Sequence, residues 1–470
     1  MKASSLVKIV KVVLLSAGVL LTLVGLLVAY VNWHGLHALN AERQRLRAAG
    51  EYTRALPLPP VPPAANFMAD PFMEMVDGIR PPDAAFTARY EATQKLQQFS
   101  YSSGRSQREI EFWTYPSGSK SKGKKLSPEE VIASFRPIEA DILDLRRRAV
   151  DCPLGQLDRE AGLSVDLFPG IPAFGPKLKL GQLWGFHQAV RWRVLAELKL
   201  GRNPDAYADA VILCRMAKAT GTHKTVLCAL VEIAMYGGIC DLVQRGVDMG
   251  SWSEPQLTGF RDFFASETCW QDFENGLHSE RVVHIETWDA SKPLGVGVKD
   301  PTGWVWTRLL APLRPGLIAE ARLRAERAES AIIDCYDPMG DRFDLARAQK
   351  LMAQPLTWCE RLNPYSEFER LAWRNINPVA ITDAKRHFLV EMYGVAVAIE
   401  LFQIGHQSYP AKLDELVPAY LPRIPRSLLT GEPPAYTRID PAHFRLSSAH
   451  WHEEAETPEL VWPPLERNSH

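Results

Sequence analysis

The chain has 470 residues, of which 46% are apolar and 23% charged, so it can form about two or three compact units with buried cores. Its 54 basic residues nearly balance its 55 acidic residues, which excludes a strongly basic protein and predicts no nucleic-acid partner. Seven cysteines form no CxxC pair. Most are expected to be small buried apolar residues, and one or two disulfides remain an alternative.

An uncharged apolar segment near the N-terminus predicts a transmembrane helix. Residues 12–31 are twenty consecutive residues without a charge, and a helix of this length crosses a hydrocarbon core of about 30 Å. Lys2, Lys8 and Lys11 precede it and favour a cytoplasmic N-terminus. A cleaved signal peptide is the alternative, but the segment is longer than a usual h-region and no A-x-A site follows. We therefore expect a single-pass protein of the bacterial inner membrane, contacting the bilayer through residues 12–31, with a periplasmic C-terminal domain.

Composition divides the rest of the chain. Five prolines among residues 56–66 predict a stiff polyproline spacer. The expected organisation is a transmembrane helix and stalk (1–55), a proline-rich linker (56–66), a helical domain (67–380), an α+β element (381–447) and an acidic tail (448–470).

Helix signals dominate the central region. Ser127, Pro128 and Glu130 form the pattern of a capped helix start. Between about 182 and 267, successive helical patterns are separated only by short Gly- and Pro-containing breaks, which predicts antiparallel neighbours. The fold class is therefore mainly α, with the N-terminal transmembrane helix and an irregular bundle of stacked helical hairpins. The apolar segment 225–243 contains Glu232, so we expect a buried central helix there and not a second span.

The region after about residue 405 has a different pattern. Prolines between apolar residues from 409 to 425 predict fixed turns, and the segments 430–439 and 443–448 predict a β-hairpin. The expected result is a small C-terminal α+β cap.

This region carries a resemblance to known families. Over about 385–447 it resembles the C-terminal part of type II secretion pseudopilins, on the motifs Tyr409-Pro410, Leu416-Val417-Pro418, Tyr420-Leu421-Pro422, Ile424-Pro425 and Thr430-Gly431-Glu432. Over about 34–445 the chain is similar to an uncharacterised family of bacterial single-pass membrane-anchored proteins, on the linker Arg47–Asn66, Cys152-Pro153 and Gly201-Arg202. Ser427-Leu428 replace the usual Asp-Pro pair, and the anchor lacks the pseudopilin processing signal. The resemblance therefore predicts neither a calcium site nor assembly into a fibre.

One local pattern resembles a metal site. Glu280 and His284 are four residues apart, so they share one face of a helix and could bind zinc or iron together. A third ligand would have to come from Glu286 or from a distant residue such as His187. The alternative is an ordinary Glu and His pair on a half-buried helix face without a metal.

Three functional hypotheses follow. The first is a non-catalytic, membrane-anchored extracytoplasmic scaffold that binds other proteins and needs no cofactor, because no nucleophile or nucleotide motif is evident. The second is a metal-dependent hydrolase of the cell envelope that uses Glu280 and His284. The third is an accessory component of a secretion apparatus, which follows from the pseudopilin-like segment.

Overall fold

The computed structural model describes residues 3–51, 58–78, 87–96, 99–103, 110–114, 125–157, 179–287, 311–352, 366–448 and 459–462. These residues are mainly helical, as predicted. The helices are α1 (Ala3–Ala48), α2 (Pro71–Val76), α3 (Thr87–Leu96), α4 (Pro128–Ser134), α5 (Glu139–Asp151), α6 (Leu180–Lys199), α7 (Asn203–Gly221), α8 (Val226–Asp248), α9 (Glu254–Ala265), α10 (Cys269–Thr287), α11 (Arg314–Ile333), α12 (Leu345–Met352) and α13 (Ser366–His406). The strands are β1 (Phe99–Ser103), β2 (Ile110–Thr114), β3 (Lys125–Leu126), β4 (Tyr336–Asp337), β5 (Arg342–Phe343), β6 (Pro434–Asp440), β7 (His443–Ser448) and β8 (Glu459–Trp462).

The chain forms two compact units, each assembled from separate segments. The first unit contains Met1–Ala55, His278–Asp334 and Ala346–Pro378, and the second contains Leu56–Leu277, Cys335–Leu345 and Val379–His470. The sequence indicated a continuous helical domain over 67–380. The structure instead groups residues 278–334 and 346–378 with the N-terminal helix, because α11 packs along α1.

The second unit has a helical core. Helices α6, α7 and α8 pack against one another in turn, and apolar residues of α13 such as Phe388 and Val395 belong to the same buried cluster. The predicted capping box of α4 is present: the Ser127 hydroxyl accepts from the Glu130 N–H at 3.2 Å, and the Ser127 N–H donates to Glu130 Oε2 at 2.8 Å. This pair fixes the start of the helix because it satisfies two otherwise unpaired N–H groups.

A small antiparallel sheet ends the second unit. Strands β6 and β7 form the predicted hairpin, and β8 adds a third strand next to β7. The region 448–470 was expected to be an acidic tail, but residues 459–462 belong to this sheet. The reason is apolar burial: Trp462 is 0% exposed and its ring contacts Tyr393 of α13 edge to face.

Among the described residues, three helices are long and apolar enough to cross a membrane: Lys11–Ala48, Val226–Asp248 and Val379–His406. Their apolar windows differ in burial within the protein, at 0%, 67% and 72% respectively. The first therefore presents its apolar side chains outward, whereas α8 and α13 bury most of theirs in the second unit. Six described cysteines are buried, as expected for small apolar residues.

Candidate metal centre

A histidine and a glutamate lie on one face of α13. His387 and Glu391 are one helical turn apart, so their side chains project in the same direction. The stretch of the helix that begins at Phe388 is largely apolar and buried in the core of the second unit. This packing holds both side chains away from bulk water: the His387 side chain is 8% exposed and that of Glu391 16%.

A second glutamate reaches these residues from the turn between α9 and α10. Glu267 precedes α10, and its Oε2 accepts the backbone N–H of Cys269 at 2.9 Å. This contact satisfies a free N–H group at the start of the helix and fixes the carboxylate. The side chain is 5% exposed. Its other oxygen, Oε1, is therefore directed to His387.

Glu267, His387 and Glu391 form what we call the Glu–His cluster. One ligand atom from each residue lies within 4.8 Å of the others. Nδ1 of His387 is 2.9 Å from Glu267 Oε1, and its Nε2 is 3.7 Å from Glu391 Oε2. The Nδ1 contact is close but not aligned as a hydrogen bond. Ligands bound at about 2.1 Å to one tetrahedral ion would stand about 3.4 Å apart. Because the two glutamates contact different ring nitrogens, a metal site would also require one carboxylate to move to the nitrogen that binds the ion.

Two further carboxylates are buried near the cluster. Asp383, one turn before His387, is 1% exposed, and Glu232 of α8 is 0% exposed. Within the described part of the chain, their carboxylate oxygens have no hydrogen-bond partner. Glu232 lies against α7 where a Cβ on Gly221 would approach Oε2 to 2.4 Å, so glycine makes room for the carboxylate. An ionised carboxylate without a partner costs several kcal/mol in the interior, so each of these groups is either protonated or compensated by nearby positive charge.

The acid–base properties of the region show both responses. Burial raises the pKa of Asp383 and of Glu232 well above the usual range, and it raises the pKa of Glu391 to about 7. Burial is the largest single effect on His387 and lowers its pKa, but Glu267, Glu391 and Asp383 together outweigh burial and raise the pKa of His387 to about 9. The pKa of Glu267 is lowered on balance, because the charge on His387 offsets its burial. Without a metal, an imidazolium therefore supplies the positive charge, and a divalent ion would displace its proton.

One imidazole and two carboxylates are ligands that suit zinc, iron(II) or manganese(II). The low exposure of all three side chains leaves little room for a substrate. Three protein ligands would leave the fourth position of a tetrahedral ion for a water molecule, and the burial of the cluster would keep a larger substrate away from that position. The arrangement is therefore suited to holding α13 against the turn between α9 and α10.

The pair predicted from sequence lies elsewhere. Glu280 and His284 are both in α10, as the spacing indicated, and they belong to the first unit. Glu280 is half-buried and has a partner of its own, whereas the His284 side chain lies outside the described residues. Their metal binding therefore stays a prediction. His187, considered as a distant third ligand, is fully buried in the second unit, where burial lowers its pKa to about 3.

The sequence contains one signal of the Glu–His cluster. Asp383, His387 and Glu391 recur every four residues along α13, just before its strongly apolar C-terminal part. Such a row places polar groups on one buried face, where each must find a partner. Glu267 carries no comparable local signal, because only the packing of α13 brings it to His387.

Comparison of the chain with protein-family models, with curated proteins and with solved structures finds no match.

Proposed function

We propose that this protein is a single-pass, membrane-anchored protein whose helical body is stabilised by one divalent metal ion at Glu267, His387 and Glu391. The convergence of these three ligand atoms within 4.8 Å, in a buried region with excess carboxylates, carries the proposal. The ion would join segments that are far apart in the sequence. Its role would be structural, which is compatible with the non-catalytic protein-binding scaffold expected from the sequence. The metal-dependent hydrolase would need a coordination position that a substrate can reach, and the three side chains are only 5–16% exposed. The secretion role depends on the C-terminal segment alone.

Metal analysis of the full-length protein tests whether it binds such an ion. Detergent-solubilised protein, purified with a tag that contains no histidine, should retain about one zinc, iron or manganese ion per chain. Replacing His387 with alanine or Glu391 with glutamine removes a ligand, so metal affinity should fall at least ~10-fold. Plasma mass spectrometry and competition with a chelator measure both quantities.

Two controls make the result specific. Glu400 is buried on the same helix, but it accepts the Tyr409 hydroxyl at 2.9 Å and lies outside the cluster. Glu400→Gln keeps an acceptor for that hydroxyl and should leave the metal content unchanged. His284→Ala should also retain the metal. Loss of the ion in His284→Ala, with retention in His387→Ala, would reject the cluster and support the pair predicted from sequence.

We also propose one membrane span and an extracytoplasmic body. The anchor is α1, whose apolar window is 0% buried, whereas α8 and α13 bury 67% and 72% of theirs and contain the buried acidic residues Glu232 and Asp383. Charged groups inside a membrane are costly, so these two helices are better explained as protein core. The basic residues before the apolar segment favour a cytoplasmic N-terminus.

Reporter fusions test this topology. Alkaline phosphatase fused after residue 470 should be active, because it folds only after export. Green fluorescent protein at the same position should be dark. Bright fluorescence with inactive phosphatase would place the body in the cytoplasm. The protein should also resist alkaline extraction from membranes, and a variant lacking residues 3–31 should be released.

A further inference from the structure

The end of the anchor is bonded to a helix from a distant part of the chain. Asn32 directly follows the apolar segment 12–31. Its Nδ2 donates to the Pro312 carbonyl at 2.8 Å, and its Oδ1 accepts the Gly316 N–H at 2.9 Å. One side chain thus satisfies two backbone groups at the start of α11, within the first unit.

Two glycines bring the helix backbones together at the same level. A Cβ on Gly35 would lie 2.3 Å from the Gly316 carbonyl oxygen, and a Cβ on Gly316 would lie 2.3 Å from the Val31 carbonyl oxygen. Any larger residue would force the backbones apart, since small residues permit such close crossings. Gly316 is therefore opposite Val31, the last residue of the apolar segment, and Gly35.

The two helices leave this crossing in the same direction. Leu39 of α1 packs on Ala319 and Leu323 of α11. As α1 continues from Gly35 to Leu39, α11 continues from Gly316 to Leu323, so both helices run away from the transmembrane segment. The start of α11 therefore faces the membrane.

From this placement we propose that residues 311–315 lie in the headgroup layer of the bilayer and form a second lipid contact. The proposal rests on the transmembrane assignment of α1. Residues 31 and 35 are separated by about 6 Å along a helix, which is close to the thickness of one headgroup layer, about 5–7 Å.

The chemistry of this segment fits a phospholipid surface. Ala311, Pro312 and Pro315 are exposed, Leu313 is half-exposed, and Arg314 can approach lipid phosphates. The Pro312 carbonyl and the Gly316 N–H are paired with Asn32, so these two backbone groups are satisfied at the interface. The partner of residues 311–315 is thus the phospholipid bilayer in which the apolar segment of α1 is inserted.

Depth measurements in nanodiscs of mixed neutral and anionic phospholipid test the proposal with the full chain. A spin label is attached through a genetically encoded residue at position 311, 21 or 339, which leaves the native cysteines intact. Leu21 is in the middle of the apolar segment, and Met339 is 95% exposed. Collision rates with oxygen, which concentrates in lipid, and with a water-soluble nickel complex report the depth of each label.

We expect position 21 to be accessible to oxygen and shielded from nickel, and position 339 to be fully accessible to nickel. Position 311 should be intermediate, at the depth of the phosphates. If the label at position 311 is as accessible to nickel as the label at position 339, while the label at position 21 is in lipid, the proposed second lipid contact is wrong. The transmembrane assignment of α1 would then still hold. If the label at position 21 is also as accessible to nickel as the label at position 339, the transmembrane assignment of α1 is wrong, and the proposed second lipid contact is wrong as well.

Discussion

Replacing Asp209 with alanine is expected to lower the free energy of unfolding by about 3–5 kcal/mol. Asp209 of α7 is 0% exposed, and its two oxygens accept Nε of Arg146 at 2.5 Å and Nε of Arg193 at 2.8 Å. The variant leaves two guanidinium groups in the interior with only their remaining partners. Removing one member of a buried ion pair is costly for this reason. Urea titration of the detergent-solubilised full-length protein, followed by circular dichroism, measures the loss.

Asp205 provides a matched control for this prediction. It also accepts from Arg146, through Nη1 at 2.7 Å, but its side chain is 52% exposed. Asp205→Ala should therefore lower the free energy of unfolding by less than about 1 kcal/mol, because exposed ion pairs contribute little to stability. Equal losses in the two variants would show that burial does not determine the strength of this network.

Replacing Trp270 with alanine should lower the free energy of unfolding by a similar amount, about 3–5 kcal/mol. Trp270 is 2% exposed and lies at the start of α10. Its ring contacts Tyr336 and Phe343 of the β4–β5 hairpin edge to face, with centroid separations of 5.4 and 5.5 Å. Truncation would leave a large cavity and remove the apolar surface on which the hairpin packs. The same urea titration measures this loss.

Met339 lies in the same hairpin and serves as the control. Its side chain is 95% exposed, so Met339→Ala should change stability by less than about 0.5 kcal/mol. A small effect of Trp270→Ala would mean that the hairpin does not depend on this packing. Trp270→Ala should also weaken metal binding, because Trp270 lies three residues after Glu267 and its loss would loosen the packing of this part of the chain.

Local patterns predicted local structure well. The capping box at Ser127 and Glu130 and the β6–β7 hairpin follow from signals within a few residues, since their hydrogen bonds connect near neighbours. Glu232 was expected inside a buried helix because a charge is costly in lipid, and it is 0% exposed within the protein. The apolar segment 12–31 is part of a long helix whose apolar window is not buried by the protein.

Features that depend on distant segments were not predictable in this way. Strand β8 is held by the burial of Trp462 against α13, which a short apolar segment within an acidic tail does not reveal. The packing of α11 along α1 depends on Gly35, Gly316 and Asn32, and each is unremarkable in its own sequence context. The Glu–His cluster needs Glu267 and His387 to meet through helix packing, whereas the sequence favoured Glu280 and His284 because their spacing is local.

X-ray absorption at the metal edge of the purified full-length protein tests the central proposal most directly. A metal bound at the Glu–His cluster should have nitrogen and oxygen neighbours at about 2.0–2.2 Å, including one imidazole. The imidazole contribution should be lost in His387→Ala but not in His284→Ala. A spectrum without an imidazole, one that is unchanged in His387→Ala, or protein that binds no metal at all would contradict it.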